Sequence, residues 1–188
     1  SSKKVFAILD RDPVVSSKEK AYAPEKCEGE ITFNHVSFRY NDEVVLKDIN
    51  LTIPAGSKVA IMGPTGSGKS SLISLIGRYY DVYEGDVLVD GVNVKDYDLH
   101  TLRKNMSLVF QDTFLFSDTI KDNIAFSKSN ASLDEIRSVC KDACILPFIE
   151  SLPAQFATEI GERGLGLSGG QKQRLAIARS LLRRAPIL

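Results

Sequence analysis

The sequence predicts an α/β fold in which a strand-rich core accepts a helical insertion. Three observations carry that reading: short apolar runs with strand parity up to about residue 110, a glycine-rich segment that runs directly into an amphipathic helix, and a change to helical text between Ser117 and Ile149. The 188 residues suit one domain, or a domain with a subdomain, and are enough to bury a core. Hydrophobic residues make up 43% and charged residues 26%, so disordered and collagen-like chains are excluded. The 24 Lys and Arg balance the 24 Asp and Glu, which argues against a protein that wraps nucleic acid by bulk charge.

The elements follow in order. Residues 1–28 read as a lead-in: Val5, Phe6, Ile8 and Leu9 fit a helix end, and Pro13 with Ser16-Ser17-Lys18-Glu19-Lys20 fits a polar linker. Ile31 and Phe33 share one strand face, whereas Val36, Phe38 and Tyr40 have the opposite parity, so a bulge is expected near Asn34-His35. Ile49, Leu51 and Ile53 alternate before a turn at Pro54-Ala55-Gly56. Val59-Ala60-Ile61-Met62 is too short for a helix and lacks alternation, as expected of a strand buried on both faces. Leu72, Leu75, Ile76 and Tyr79 mark one helical stripe, Val87–Val89 a strand, and Ser107–Phe110 another buried strand. Within the helical stretch, Ser132 and Glu135 form a capping-box pattern.

Cys27, Cys140 and Cys144 form no CxxC pair, and His35 and His100 alone do not complete a zinc site, so a reducing compartment and no zinc are expected. No apolar run reaches the roughly 18 residues of a membrane span, and the first residues carry no long apolar signal segment. This chain is not expected to cross a membrane by itself.

Gly63-Pro64-Thr65-Gly66-Ser67-Gly68-Lys69-Ser70 fits GxxxxGK[ST] at every required position. Its glycines let backbone N–H groups turn inward, and the helix that follows aims its positive end at phosphate. Lys69 would reach the β- and γ-phosphates, and the Ser70 hydroxyl would ligate Mg²⁺. The dinucleotide pattern GxGxxG does not fit this loop. Leu167-Ser168-Gly169-Gly170-Gln171 places a second anion-binding end directly before a helix striped by Leu175, Ala178 and Leu182. By spacing alone that segment also reads as a capped surface helix. After Glu162 the sequence carries Arg163, Lys172, Arg174, Arg179, Arg183 and Arg184 with no acid, which reads as a solvated helix face, with a membrane-surface or nucleic-acid patch as the alternative.

The phosphate-loop motif followed by LSGGQ resembles the nucleotide-binding domain of ATP-binding cassette (ABC) transporters, and the resemblance runs from Gly29 onward. It implies a P-loop NTPase (RecA-like) core with an antiparallel β subdomain and an inserted α-helical subdomain. The implied layout is a linker from a membrane domain at 1–28, the nucleotide-binding core at 29–111, the helical subdomain at 112–170, and a return helix with the start of a further strand at 171–188. Phe38-Arg39-Tyr40 resembles the A-loop, so Tyr40 would stack on adenine. Val109-Phe110-Gln111-Asp112 resembles the Q-loop, where Gln111 would contact Mg²⁺ and the attacking water. Thr158–Gly164 resembles the X-loop of exporter-type members, and Val5–Asp10 the linker that leaves an exporter's last membrane helix.

The resemblance implies an exporter ATPase, with ATP and Mg²⁺ held by Tyr40, Gly63, Thr65, Gly66, Ser67, Gly68, Lys69, Ser70, Ser71 and Gln111. Lys69 and Gln111 are the implied catalytic residues, and Ser70 and Gln111 the implied metal contacts. Ser168, Gly169, Gly170 and Gln171 would meet the ATP of a second, head-to-tail domain. A transmembrane domain on the same parent chain is implied, at the cytoplasmic face of the membrane, with no nucleic-acid partner. In the family the strand entered at Ile187-Leu188 continues into the Walker B carboxylate and then the catalytic glutamate. The 188 residues therefore read as a piece without the C-terminal part of the core, expected to be inactive alone. A non-hydrolysing regulatory module is the alternative reading. A DNA-repair or chromosome-maintenance ATPase is less compatible, since no long heptad run is present.

Overall fold

A computed structural model describes residues 13–161 and 166–188. The chain forms two compact units, residues 1–105 and 106–188. The reading of Val5–Asp10 lies outside the described residues, as do Glu162, Arg163 and Gly164 of the X-loop-like segment.

The first unit is built on a four-stranded antiparallel sheet of order β2-β1-β3-β4, with β1 Ile31–Tyr40, β2 Glu43–Ile53, β3 Glu84–Val89 and β4 Val92–Asn93. The bulge expected in β1 is present. Register shifts fall between Phe33 and Val36 on the β2 side and between Asn34 and Ser37 on the β3 side, and His35 takes φ 50°. The extra residue flips the side-chain parity, so Phe33 and Val36 both enter the core despite their odd and even positions. Gly85 lies against this bulge at φ 76°, where an added Cβ would come within 2.2 Å of the His35 carbonyl oxygen.

Helix α1, Lys69–Ile76, buries Leu72, Leu75 and Ile76. The stripe expected to continue to Tyr79 stops short. The helix ends at Gly77, Arg78 follows with φ 48°, and Tyr79 is exposed. Two arginines pin this exit. The buried Arg78 donates to Asp81 (2.8 Å) and to the Ser16 and Lys95 carbonyls, and Arg103 donates to the Gly77 and Arg78 carbonyls (3.1 and 2.9 Å). These bonds satisfy backbone acceptors that a helix terminus otherwise leaves open.

The polar lead-in is tied down along its described part. Tyr22 exchanges backbone hydrogen bonds with Asp96 and Asp98, and its ring meets buried Tyr97 edge-on. The Asp90 carboxylate accepts the N–H groups of Glu28, Gly29 and Glu30 at 2.8–2.9 Å. Helix α2, Leu99–Lys104, is capped by Asp98, which accepts from the Thr101 N–H at 2.8 Å.

The second unit contains α3 Ile120–Ala125, α4 Leu133–Asp142, α5 Leu146–Ser151, a 3₁₀ turn Gln155–Ala157, and α6 Gly169–Leu182. Its core gathers Leu115, Ile120, Ile124, Ile136, Cys140 and Ile149 around the Leu175, Ala178 and Leu182 stripe of α6. The capping box expected at Ser132 and Glu135 is formed in both directions.

Two expected strands differ. Val59–Met62 joins no ladder and is exposed, with Met62 at 90%. Ser107–Phe110 likewise forms no strand; Met106 makes one parallel bridge to Ile187, and the Ser107 N–H donates to the Ile187 carbonyl at 2.9 Å. An apolar run becomes a strand only beside another strand, and among the described residues of their own units neither segment has a full-length neighbour. Cys140 is buried on helix α4, whereas Cys144, beyond the helix end, is exposed at φ 55°.

Two measurements follow from this packing. Gly85→Ala forces a methyl into the bulge and a left-handed φ on alanine, so a loss of roughly 2–4 kcal/mol is expected in a urea titration; an unchanged midpoint contradicts the close approach. Burial pushes the Cys140 thiol up to about 12, and burial together with the Asp90 carboxylate does the same for Cys27. Alkylation of folded protein at pH 8 is therefore expected to modify Cys144 first, and comparable labelling of Cys27 counts against this environment.

Candidate functional site: a phosphate loop and a capped signature helix

The phosphate loop reaches α1 through two left-handed glycines, Gly66 at φ 83° and Gly68 at φ 85°. Pro64 accepts from the Ser67 N–H at 3.2 Å, closing the turn. Gly68 is the N-cap of α1, and an added Cβ there would lie 2.7 Å from Leu46 Cδ2 and 3.2 Å from Val45 Cγ1. The loop therefore passes flat against β2, and only glycine satisfies both the φ and the contact. Lys69 folds back over its own loop. Its ammonium donates to the Gly63 and Pro64 carbonyls (2.9 and 2.7 Å) and to Ser67 Oγ (3.3 Å).

This arrangement fits a polyphosphate. The first turn of α1 carries no acid, its N–H groups open at an exposed loop, and a lysine already stands there. Gly66 has nothing within 4 Å of where a Cβ would project, so the backbone at that point is approachable. An entering anion offers Lys69 a charge-assisted partner in place of two neutral carbonyls. Thr65 and Ser70 are exposed, Thr65 on the loop and Ser70 on the first helical turn.

Tyr40 ends β1 near the same helix terminus, and the Ser71 hydroxyl donates to its phenol oxygen at 3.4 Å. The ring stands edge-to-face with Phe38 at 4.7 Å and with Tyr80 at 5.1 Å, and remains 39% exposed. The structure thus brings Tyr40, Ser71 and the phosphate loop onto one side of the first unit. Asp86 and Asp90 do not join them, being engaged by Asn93 and by the 28–30 backbone.

In the second unit, Ser168 caps α6. Its Oγ accepts from the Gln171 N–H at 3.3 Å, while the Gln171 side-chain oxygen accepts from the Ser168 N–H at 2.8 Å. Ser168, Gly169 and Gly170 are exposed, and a Cβ at either glycine would meet nothing within 4 Å. In the cap the serine oxygen is the acceptor, so the capping bond does not use its hydroxyl hydrogen. Gln111 is exposed on a bend of the same unit.

The model of the family described as "ABC transporter" matches residues 46–188. The chain belongs to the ABC transporter family. It is 49% identical over 187 residues to an ATP-dependent lipid A-core flippase of Haemophilus influenzae, covering 98% of this chain and 32% of that protein. It is 46% identical over its full length to an ATP-dependent lipid A-core flippase of Desulfotalea psychrophila, of which it covers 33%. A solved structure of a bacterial Atm1-family ABC exporter with ATP bound is similar at a TM-score of 0.90 and 41% identity, over 97% of this chain and 32% of that one. This ABC chain thus spans about a third of the length of the relatives it matches. The P-loop NTPase fold with its antiparallel sheet, expected from the sequence, is that of the family.

Sequence reasoning missed two clusters. One is the packing of Tyr80 and Phe38 around Tyr40. The other joins Arg179 to the Asn123 and Phe114 carbonyls (2.7 and 3.0 Å) and to the Asn123 side chain (2.9 Å), with its guanidinium over the Phe116 and Phe126 rings. Arg179 is therefore an internal tie, not part of a solvated face; Arg174 also bonds the Cys144 carbonyl, and Arg184 faces Glu135. The Phe114-x-Phe116 pair was the available signal for the second cluster.

Ser168→Ala removes the cap acceptor, and a loss of about 1 kcal/mol is expected in denaturant unfolding of the second unit. Gly169→Ala, with open space around it, is expected to leave that transition close to wild type. Equal losses in both variants contradict the capping assignment.

Proposed function

We propose that this chain is the ATP-binding domain of an ABC exporter, coupling ATP binding and hydrolysis to transport. The observation that carries the reading is the Lys69 ammonium poised over a two-glycine loop at the N-terminus of α1. Loop N–H groups and Lys69 hold the β- and γ-phosphates, and Tyr40 stacks on adenine with Ser71 steadying its hydroxyl. Gly63, Thr65, Gly66, Ser67 and Gly68 shape the loop around the phosphates. By resemblance to the family, Ser70 and Gln111 would each contact Mg²⁺, whose charge would neutralise the phosphate oxygens in the transition state. In the same way Gln111 would orient the attacking water.

Ser168, Gly169, Gly170 and Gln171 face the γ-phosphate carried by a second nucleotide-binding domain in a head-to-tail pair. The exposed, reciprocally capped end of α6 supports this role, because its glycines leave room for an approaching anion. A transmembrane domain on the same parent chain receives the motion at the cytoplasmic face of the membrane. Among the described residues, no helix is long and apolar enough to cross a membrane. The first turn of α1 carries no acid, and Asp86 and Asp90 are committed to structural bonds, so neither activates water at the loop.

Lys69→Ala in the full-length transporter tests the assignment. Steady-state ATPase activity is expected to fall by roughly two to three orders of magnitude or more, the scale for removing a preorganised charge at the transferring phosphoryl group. Wild-type turnover in that variant overturns the reading.

A further inference from the structure

We propose that Tyr80 is a positioning residue for nucleotide binding, setting the plane of the Tyr40 ring and thereby its grip on the base. Tyr40 is held from three sides. Phe38, only 3% exposed, meets it at 4.7 Å with an interplanar angle of 83°. Tyr80 meets it at 5.1 Å and 88°. The Ser71 hydroxyl fixes the phenol end at 3.4 Å. Phe38 and Tyr80 also touch each other at 5.7 Å and 52°, so the three rings form one closed cluster.

Of these contacts, Phe38 belongs to the core, whereas Tyr80 is 46% exposed and contributes little to it. Its backbone is nevertheless rigidly placed. Arg103 donates to the carbonyls of Gly77 and Arg78, and Arg78 clasps Asp81 with two nitrogens at 2.8 and 3.2 Å. An exposed aromatic on a turn pinned on both sides, packed edge-to-face with the nucleotide-facing ring, is a preorganising contact. Ring quadrupoles give an edge-to-face pair a preferred geometry, which an aliphatic neighbour lacks. A tyrosine at a strand end would otherwise rotate about χ1 and χ2, and that freedom would be lost on stacking.

The inference rests on the reading of Tyr40 as the base platform, and the experiment separates the two. Equilibrium binding of ATP and of inorganic triphosphate is measured on the full-length protein and on Tyr40→Ala, Tyr80→Leu and Tyr80→Phe. Tyr80→Leu is expected to weaken ATP about 2- to 10-fold, the scale of one aromatic pair, while triphosphate binding stays at wild type. Tyr80→Phe keeps the ring and is expected to bind both ligands normally. If Tyr80→Leu does not fold, Tyr80→Met carries the same comparison.

Unchanged ATP affinity in Tyr80→Leu, or an equal loss for both ligands, overturns the positioning role while leaving Tyr40 in place. A Tyr40→Ala protein whose two affinities fall in parallel, or not at all, overturns the base platform and the Tyr80 role with it.

Discussion

The phosphate loop depends on the place where Gly68 crosses β2. There the backbone runs so close to Leu46 and Val45 that a single methyl would collide, and the same residue must take a left-handed φ to start α1. The contact fixes the helix N-terminus against the sheet, and with it the direction of the free N–H groups and the reach of Lys69. Because β2 pairs with β1, and β1 ends at Tyr40, one antiparallel pair carries both the Gly68 crossing and the ring proposed to stack on the base. The spacing between Tyr40 and the loop is thereby built into a ladder, where backbone hydrogen bonds resist sliding.

Arginine supplies much of the remaining rigidity. Arg78, Arg103 and Arg179 each direct guanidinium N–H groups at backbone carbonyls, at a helix exit or an irregular loop. A planar fork with five donors suits this task, since loop carbonyls have no ladder partner and are costly to bury unpaired. Burial lowers the pKa of Arg179, yet the group keeps its charge at any physiological pH. Its three hydrogen bonds and two aromatic faces offset that desolvation. Helix α6 is thus fastened near its C-terminal end to the segment following Gln111, while Ser168, Gly169 and Gly170 at its other end are exposed.

Much of the site was legible because its chemistry is local. The phosphate loop, its lysine and the start of α1 fall within eight consecutive residues, and both capping boxes span four. The bulge in β1 was readable from parity alone, since Phe33 and Val36 cannot share a face without an extra residue between them. Arg179 was the opposite case: in sequence it joined a run of cations, and only its neighbours Asn123 and Phe114, more than fifty positions away, turn it inward. The Tyr40–Tyr80 contact is similar, as its partners lie forty residues apart in β1 and in the turn after α1.

The sequence by itself determined which short segments could bind phosphate, cap a helix, or break a strand, because those properties depend on residues a few positions apart. Tertiary structure decided which apolar runs became strands. Val59–Met62 and Ser107–Phe110 have the composition of buried strands, but strand hydrogen bonds are made to another chain segment, and composition cannot supply a neighbour. It also decided where α1 stops, through Gly77 and a left-handed Arg78 held by Asp81, Ser16 and Lys95. Apolar periodicity records which residues a helix would bury if it continued, whereas the bonds that end it come from partners the periodicity does not contain.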